Sequence, residues 1–391
     1  MAGILVVIMA GATVPAPLYV IYGDTFEFGD DVVTLIFATQ AFCTLATLSL
    51  GRLFDRYGRR RLLSVALALA ALSSVLFLLA RGVPGLVAAR AVSGVALGIG
   101  QSTAAAALVE LQPAGNVARA SVLAIVATTL GLGGGALVAG GLAEYAPAPT
   151  RLPFLVYFVA VAAALLSLRT VPETVPLQIR RPPRTHHGFL PRSARWTFAA
   201  AGCVGFVGFA MQSLFTALAS SMLADSLQVD NHALAGGVVF LVFAVGAAGQ
   251  VCLRGSSTGI LVAIGLSSVL VALASVVVAF ARSDLALFLL GASVGGAGAG
   301  IALLGSIIVV NTVSYADRRA EALSRYNVVA YLGVMLPVLA LGSVSEHTNM
   351  QAAAIAFSVL LAGVSALGAA VLVCQLPSTG PANRQKQGRD S

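Results

Sequence analysis

A chain of 391 residues that is 58% hydrophobic and 10% charged, with a mean hydropathy of +0.94, falls outside the range of soluble domains. Its net charge of +8 comes with no aromatic-interleaved basic patch or nucleic-acid motif, so nucleic acid is excluded as a partner and anionic lipid headgroups are expected instead. Lysine occurs once, at Lys386, which rules out a phosphate-loop ATPase; four scattered cysteines (Cys43, Cys203, Cys252, Cys374) offer no metal site or disulfide framework, and no metal or cofactor is expected.

About 20 apolar residues cross the hydrocarbon core of a bilayer. Taken in order, the chain offers twelve such runs. Span 1 is expected over about 2–22, apolar from Ala2 without a basic leader or cleavage pattern, and so read as a span rather than a signal peptide. An acidic turn with Asp24, Glu27, Asp30 and Asp31 follows. Spans 2 and 3 run from Val32 to Leu50 and from Leu62 to Ala80. Between them lies Gly51-Arg52-Leu53-Phe54-Asp55-Arg56-Tyr57-Gly58-Arg59-Arg60-Arg61, five arginines and one aspartate in eleven residues. Spans 4, 5 and 6 are expected at 84–109, 118–142 and 152–168, with Glu110 at the inner end of span 4. Residues 169–195 change character: six arginines, five prolines and the pair His186-His187 read as a hydrated linker between two halves. Spans 7 to 12 follow at 196–223, 233–253, 259–280, 285–313, 320–344 and 350–374, and a polar tail at 375–391. The expected domains are therefore a six-helix bundle over 1–168, the linker, and a second bundle over 196–374.

The basic residues set the orientation. With both termini inside, 19 of the 23 lysines and arginines fall on the cytoplasmic side, three (Arg81, Arg151, Arg282) fall outside, and Arg90 lies within span 4. The halves also resemble each other. Gly94 and Gly98 in span 4 find counterparts at Gly291 and Gly295 in span 10, where Leu287 stands in place of Arg90.

The pattern Gly-x-Leu-x-Asp-Arg-x-Gly-Arg-Arg over Gly51–Arg60 resembles the loop between spans 2 and 3 of the major facilitator superfamily. Arg90-x-x-x-Gly94-x-x-x-Gly98-x-Gly100 is similar to that family's span-4 motif. The string Gly131-Leu132-Gly133-Gly134-Gly135 through Gly140-Gly141 looks like the span-5 motif of its exporter branches, departing from it with Ala136 at the proline position and Ala139 at a glycine position. The resemblance implies an all-α integral membrane fold of twelve helices in two pseudo-symmetric six-helix bundles. It implies a monomeric secondary transporter in the plasma membrane, of the drug/proton antiporter type, moving a small-molecule substrate by alternating access with protons as the coupling ion.

By the same resemblance, Gly51, Asp55, Arg56, Gly58, Arg59, Arg60 and Glu110 form a conformational switch at the cytoplasmic face. Arg90 is linked to proton coupling. An interior charge needs a partner, and the nearest carboxylate in the sequence is Asp24 at the outer end of span 1. Gln101 shares a helix face with Arg90 at 100° per residue. Spans 1, 4, 7 and 10 should line the cavity, for which the candidate residues are Tyr19, Tyr22, Gln101, Phe209, Gln212 and Phe215, with Asn327 and Tyr331 from span 11. Such an uncharged, aromatic and amide-rich lining suits an apolar or amphipathic solute and argues against a dicarboxylate or phosphate ester. No span carries a catalytic set, so an enzyme is not expected. A proton-coupled nutrient importer and a non-transporting membrane sensor of the same fold stay open as alternatives.

Overall fold

A computed structural model describes residues 1–50, 58–111, 117–170, 189–226, 229, 231–315, 318–347 and 350–375. These residues form helices and short connections without a strand. Among the described residues ten helices are long and apolar enough to cross a membrane, and the shorter apolar helices Leu152–Leu168 and Ile355–Val371 supply spans 6 and 12. In lipid a backbone must satisfy its own polar groups, and the helix does this within one segment. The spans are Asp30–Ser49, Arg59–Leu79, Val83–Glu110, Val117–Tyr145 and Leu152–Leu168 for 2 to 6. Spans 7 to 12 are Arg195–Ser221, His232–Leu253, Thr258–Arg282, Leu285–Val313, Arg319–His347 and Met350–Gln375. Side chains cap two of the starts: Asn231 Oδ1 accepts from Leu234 N at 2.7 Å, and Asp284 Oδ1 accepts from Ala286 N at 2.8 Å.

Span 1 is broken. Its helix Ala2–Thr13 stops before Pro15, a 3₁₀ turn runs Ala16–Leu18, and a second helix runs Tyr19–Phe26. A proline nitrogen carries no hydrogen, so Pro15 cannot answer the Gly11 carbonyl four residues back. That carbonyl instead accepts from Ser93 Oγ of span 4 at 3.4 Å.

Two bundles result. Span 1 packs on spans 4, 5 and 6, and span 3 on spans 4 and 6; span 7 packs on spans 10, 11 and 12, and span 9 on spans 10 and 12. Spans 2 with 11 and 5 with 8 join the halves. Small residues set the closest crossings, as expected where lipid removes any hydrophobic drive between helices. A Cβ at Gly94 would sit 2.5 Å from the Gln40 carbonyl, and one at Gly98 2.9 Å from that of Thr44. In the second half a Cβ at Gly296 would sit 2.4 Å from the Val242 carbonyl and one at Gly300 2.3 Å from that of Gly246. Each of these four positions lies one step of 202 residues beyond its counterpart (40 to 242, 44 to 246, 94 to 296, 98 to 300). The glycines equivalent to Gly94 and Gly98 by contact are therefore Gly296 and Gly300. Gly291 and Gly295 face span 9 and Met211 instead, and Ala292 takes the place of Arg90.

Candidate functional site

A cavity of about 420 Å³ lies between the halves. Its polar lining includes Gln40 and Thr44 of span 2, Gln101 of span 4, Thr128 and Thr129 of span 5, Gln212 of span 7, Gln250 of span 8, and Asn327 and Tyr331 of span 11. Phe37, Leu97, Leu132, Phe209, Phe243 and Leu303 supply much of the apolar wall. No lining residue carries a formal charge. Gln101 Nε2 donates to Tyr331 Oη at 3.1 Å, joining the two halves across the cavity, and the Phe209 ring lies 5.3 Å from that of Tyr331.

Five of the eight nominated lining residues meet here: Gln101, Phe209, Gln212, Asn327 and Tyr331. The other three lie elsewhere. Tyr19 is buried against Arg90. Tyr22 is buried with its hydroxyl donating to the Thr150 carbonyl at 3.4 Å. Phe215 packs edge-on against Phe288 at 5.6 Å. Spans 2, 5, 8 and 11 contribute more of the lining than the expected set of 1, 4, 7 and 10. Gln40 and Gln250 were the available signal: each is an amide inside an apolar helix, which calls for a partner or a cavity.

Arg90 sits in the far half of span 4, fully buried. Its Nε donates to Tyr19 Oη, and its Nη1 donates both to the Ala12 carbonyl at 2.8 Å and to Gln40 Oε1. The guanidinium also lies over the rings of Tyr19 at 5.3 Å and Phe37 at 5.9 Å. Nη2 is buried without a partner. The break in span 1 builds this site, because it turns the Gly11 and Ala12 carbonyls toward span 4, where Ser93 and Arg90 take them. Asp24 is exposed near the end of its helix and is not among the groups Arg90 meets.

Of the predicted switch residues, Gly51, Asp55 and Arg56 lie outside the described residues. Gly58 is the cap residue before span 3, and Arg59 and Arg60 open its first turn. Arg59 Nη2 meets Glu110 Oε1 at 3.3 Å, tying the start of span 3 to the end of span 4. At the opposite end of the bundle spans 5 and 8 close together. A Cβ at Gly140 would sit 2.3 Å from the His232 carbonyl, one at Gly236 2.3 Å from that of Ala136, and Glu144 Oε2 accepts from His232 N at 2.9 Å.

The family model described as Major Facilitator Superfamily matches residues 1–262. No curated protein matches the chain. Among solved structures it is similar to a bacterial homolog of the human lysosomal transporter Spinster, inward-facing and unoccupied, at 15% identity and a TM-score of 0.77 over 97% of each chain. It is similar to the xylose transporter XylE from E. coli, partially occluded and inward open, at 15% identity and a TM-score of 0.74 over 96% of this chain and 98% of that one. The nucleoside transporter NupG matches at 12% identity and a TM-score of 0.73 over 96% and 98%. At these identities the likeness is one of fold.

Proposed function

The chain belongs to the Major Facilitator Superfamily, and from that premise we propose that it carries a small organic solute across the plasma membrane by alternating access, exporting it against a proton gradient. The observation that carries this reading is the uncharged cavity shared by both halves, with spans 5 and 8 packed backbone to backbone at one end of it. A site between two pseudo-symmetric bundles that rock about it is how carriers of this architecture expose one site to two sides in turn. We take the basic end as cytoplasmic, with both termini there, on the count of arginines and lysines. On that reading the present state is closed outside.

Three features support the finer parts. The span-5 glycine string, similar to an exporter motif, packs Gly131 and Gly135 on span 1 and Gly133 and Gly140 on span 8, so it stands where the halves move. Glu110 and Arg59 tie the start of span 3 to the end of span 4, and Asp55, by resemblance, would engage the other half when the cytoplasmic side closes. Among the described residues Arg90 is the one fully buried charge, and it lies behind the cavity wall, bonded to the lining residue Gln40. It would sense the coupling proton, taken up from outside through the exposed Asp24. Since no lining residue offers a nucleophile beside a base or a metal-ligand cluster, the chemistry of the site is recognition rather than reaction.

The test is purified protein in liposomes with an imposed pH gradient and an internal pH dye. Compounds that are exported should trigger proton movement opposite to their own in the wild type, and Asp24→Asn should move solute without the coupled proton. Solute flux with no proton movement in the wild type would overturn the coupling, and no flux of any compound would overturn the carrier.

A further inference from the structure

Arg90 is an unanswered charge. Its guanidinium is a cation, and it is fully buried. Its three engaged N–H positions go to neutral oxygens of Tyr19, Ala12 and Gln40. Nη2 donates to nothing, and no carboxylate among the described residues touches the group. A buried charge is stable only with an opposite charge or a full set of hydrogen bonds, and Arg90 has neither.

The same cation decides what the cavity wall offers. Arg90 can only donate, so the end of the Gln40 amide that it holds must be the oxygen. That leaves Gln40 Nε2, which bonds to nothing else in the described protein, as a donor on a residue that lines the cavity. A cation bonded to the oxygen also polarises the amide and strengthens its N–H groups as donors. Several wall hydroxyls spend their hydrogens on backbone carbonyls: Thr13 on Leu132 at 2.6 Å, Thr44 on Gly94 at 3.1 Å and Thr216 on Gln212 at 2.7 Å. That leaves Gln40 Nε2 as the open donor of a positive corner, with Phe37 and Leu97 beginning the apolar wall beside it. A cationic ligand would find no carboxylate on the wall and would be repelled by Arg90, whose field is little screened in so dry a place.

We infer that the cavity takes a small organic monoanion, a carboxylate on an apolar body, whose head accepts from Gln40 Nε2 and supplies the negative charge that Arg90 lacks. Gln40 is then the specificity-determining residue and Arg90 the positioning residue behind it. The inference rests on reading the protein as a carrier of small organic solutes and names the class of solute.

The experiment is calorimetric titration of the purified full-length protein in detergent with three probes that share one body: phenylbutyrate, phenylbutyramide and phenylbutylamine, at neutral pH. The carboxylate should bind about tenfold or more tightly than the amide, the amine not at all. Because Arg90→Ala removes bonds to three partners and can fail to fold, the decisive variant is Gln40→Glu. It keeps an oxygen for Nη1 while placing a negative charge in the wall. It should hold or raise the thermal midpoint, lose the carboxylate and gain the amine. A purely structural Gln40 would leave the order of the three probes unchanged in Gln40→Glu, and that result overturns the inference. So does wild-type binding of the amide or amine as tight as that of the carboxylate, or no carboxylate binding at millimolar concentration. Binding in detergent needs no gradient. A protein that binds phenylbutyrate yet moves nothing in liposomes keeps this inference and overturns the carrier, whereas one that exports only neutral or cationic compounds does the reverse.

Discussion

At the scale of single residues the most informative contact is between Arg90 and Tyr19. Removing the Tyr19 hydroxyl strands a buried charged donor, and an unsatisfied buried donor costs about 1–3 kcal/mol, more when charged. Tyr19→Phe should therefore lower the thermal unfolding midpoint of the purified protein clearly. Tyr22→Phe gives up only a bond of 3.4 Å to the Thr150 carbonyl and should cost well under about 1 kcal/mol. Equal shifts from the two variants would sink this account of Arg90. The sequence made Arg90 legible, because one charge in the middle of an apolar run stands out. Its partners were not legible. A search for carboxylates led to Asp24, which is exposed, whereas the groups that hold the charge are a phenol, a carbonyl freed near a proline break and the amide of Gln40. A one-dimensional pattern marks an unsatisfied charge but cannot say which neutral oxygens a helix crossing brings to it.

Among the elements, span boundaries were nearly all readable, since hydropathy and short polar turns fix where a helix must enter and leave lipid. The facing of each helix was not. Span 4 read as repeating in span 10 through Gly291 and Gly295, while contact with the partner helix falls to Gly296 and Gly300, because a glycine-rich span carries several candidate faces and only the neighbour chooses among them. The crossing of spans 5 and 8 gives a test of the closed end. Gly236→Leu would drive a side chain into the Ala136 carbonyl, 2.3 Å from the position of its Cβ, and should disfavour the closed arrangement. Membrane-impermeant maleimide labelling of Gln212→Cys in a cysteine-free background, from the side of the Gly236 end, should then speed up about tenfold, as a shift of about 1.4 kcal/mol between states would give. Gly134→Ala meets nothing within 4 Å and should leave the rate alone. Unchanged labelling in Gly236→Leu would mean that this crossing does not gate the cavity.

For the molecule as a whole, composition marked a membrane protein, the resemblance of three short segments to a known family implied the fold class, and the lopsided distribution of arginines gave an orientation. The cavity was legible only in part. Gln101, Gln212, Asn327 and Tyr331 stood out as polar residues in apolar runs, but spans 2, 5, 8 and 11 line much of the site because they pack across the two halves, which no single-chain pattern encodes. The packing of the two halves also sets what the basic end should do. The Arg59–Glu110 pair is partly exposed, with side-chain accessibilities of 21% and 33%, and an exposed pair contributes at most about 1 kcal/mol to folding. Against the stability of a large helical bundle such a term is minor; against the balance between two carrier states separated by a few kcal/mol it is not. Glu110→Gln should therefore leave the thermal midpoint almost unmoved while changing the initial rate of solute flux in liposomes by about two- to fivefold, which is what about 0.5–1 kcal/mol amounts to. If flux and midpoint fell together, the pair would be holding the fold rather than weighting the states, and the switch assigned to the basic loop would have to rest on Asp55 alone.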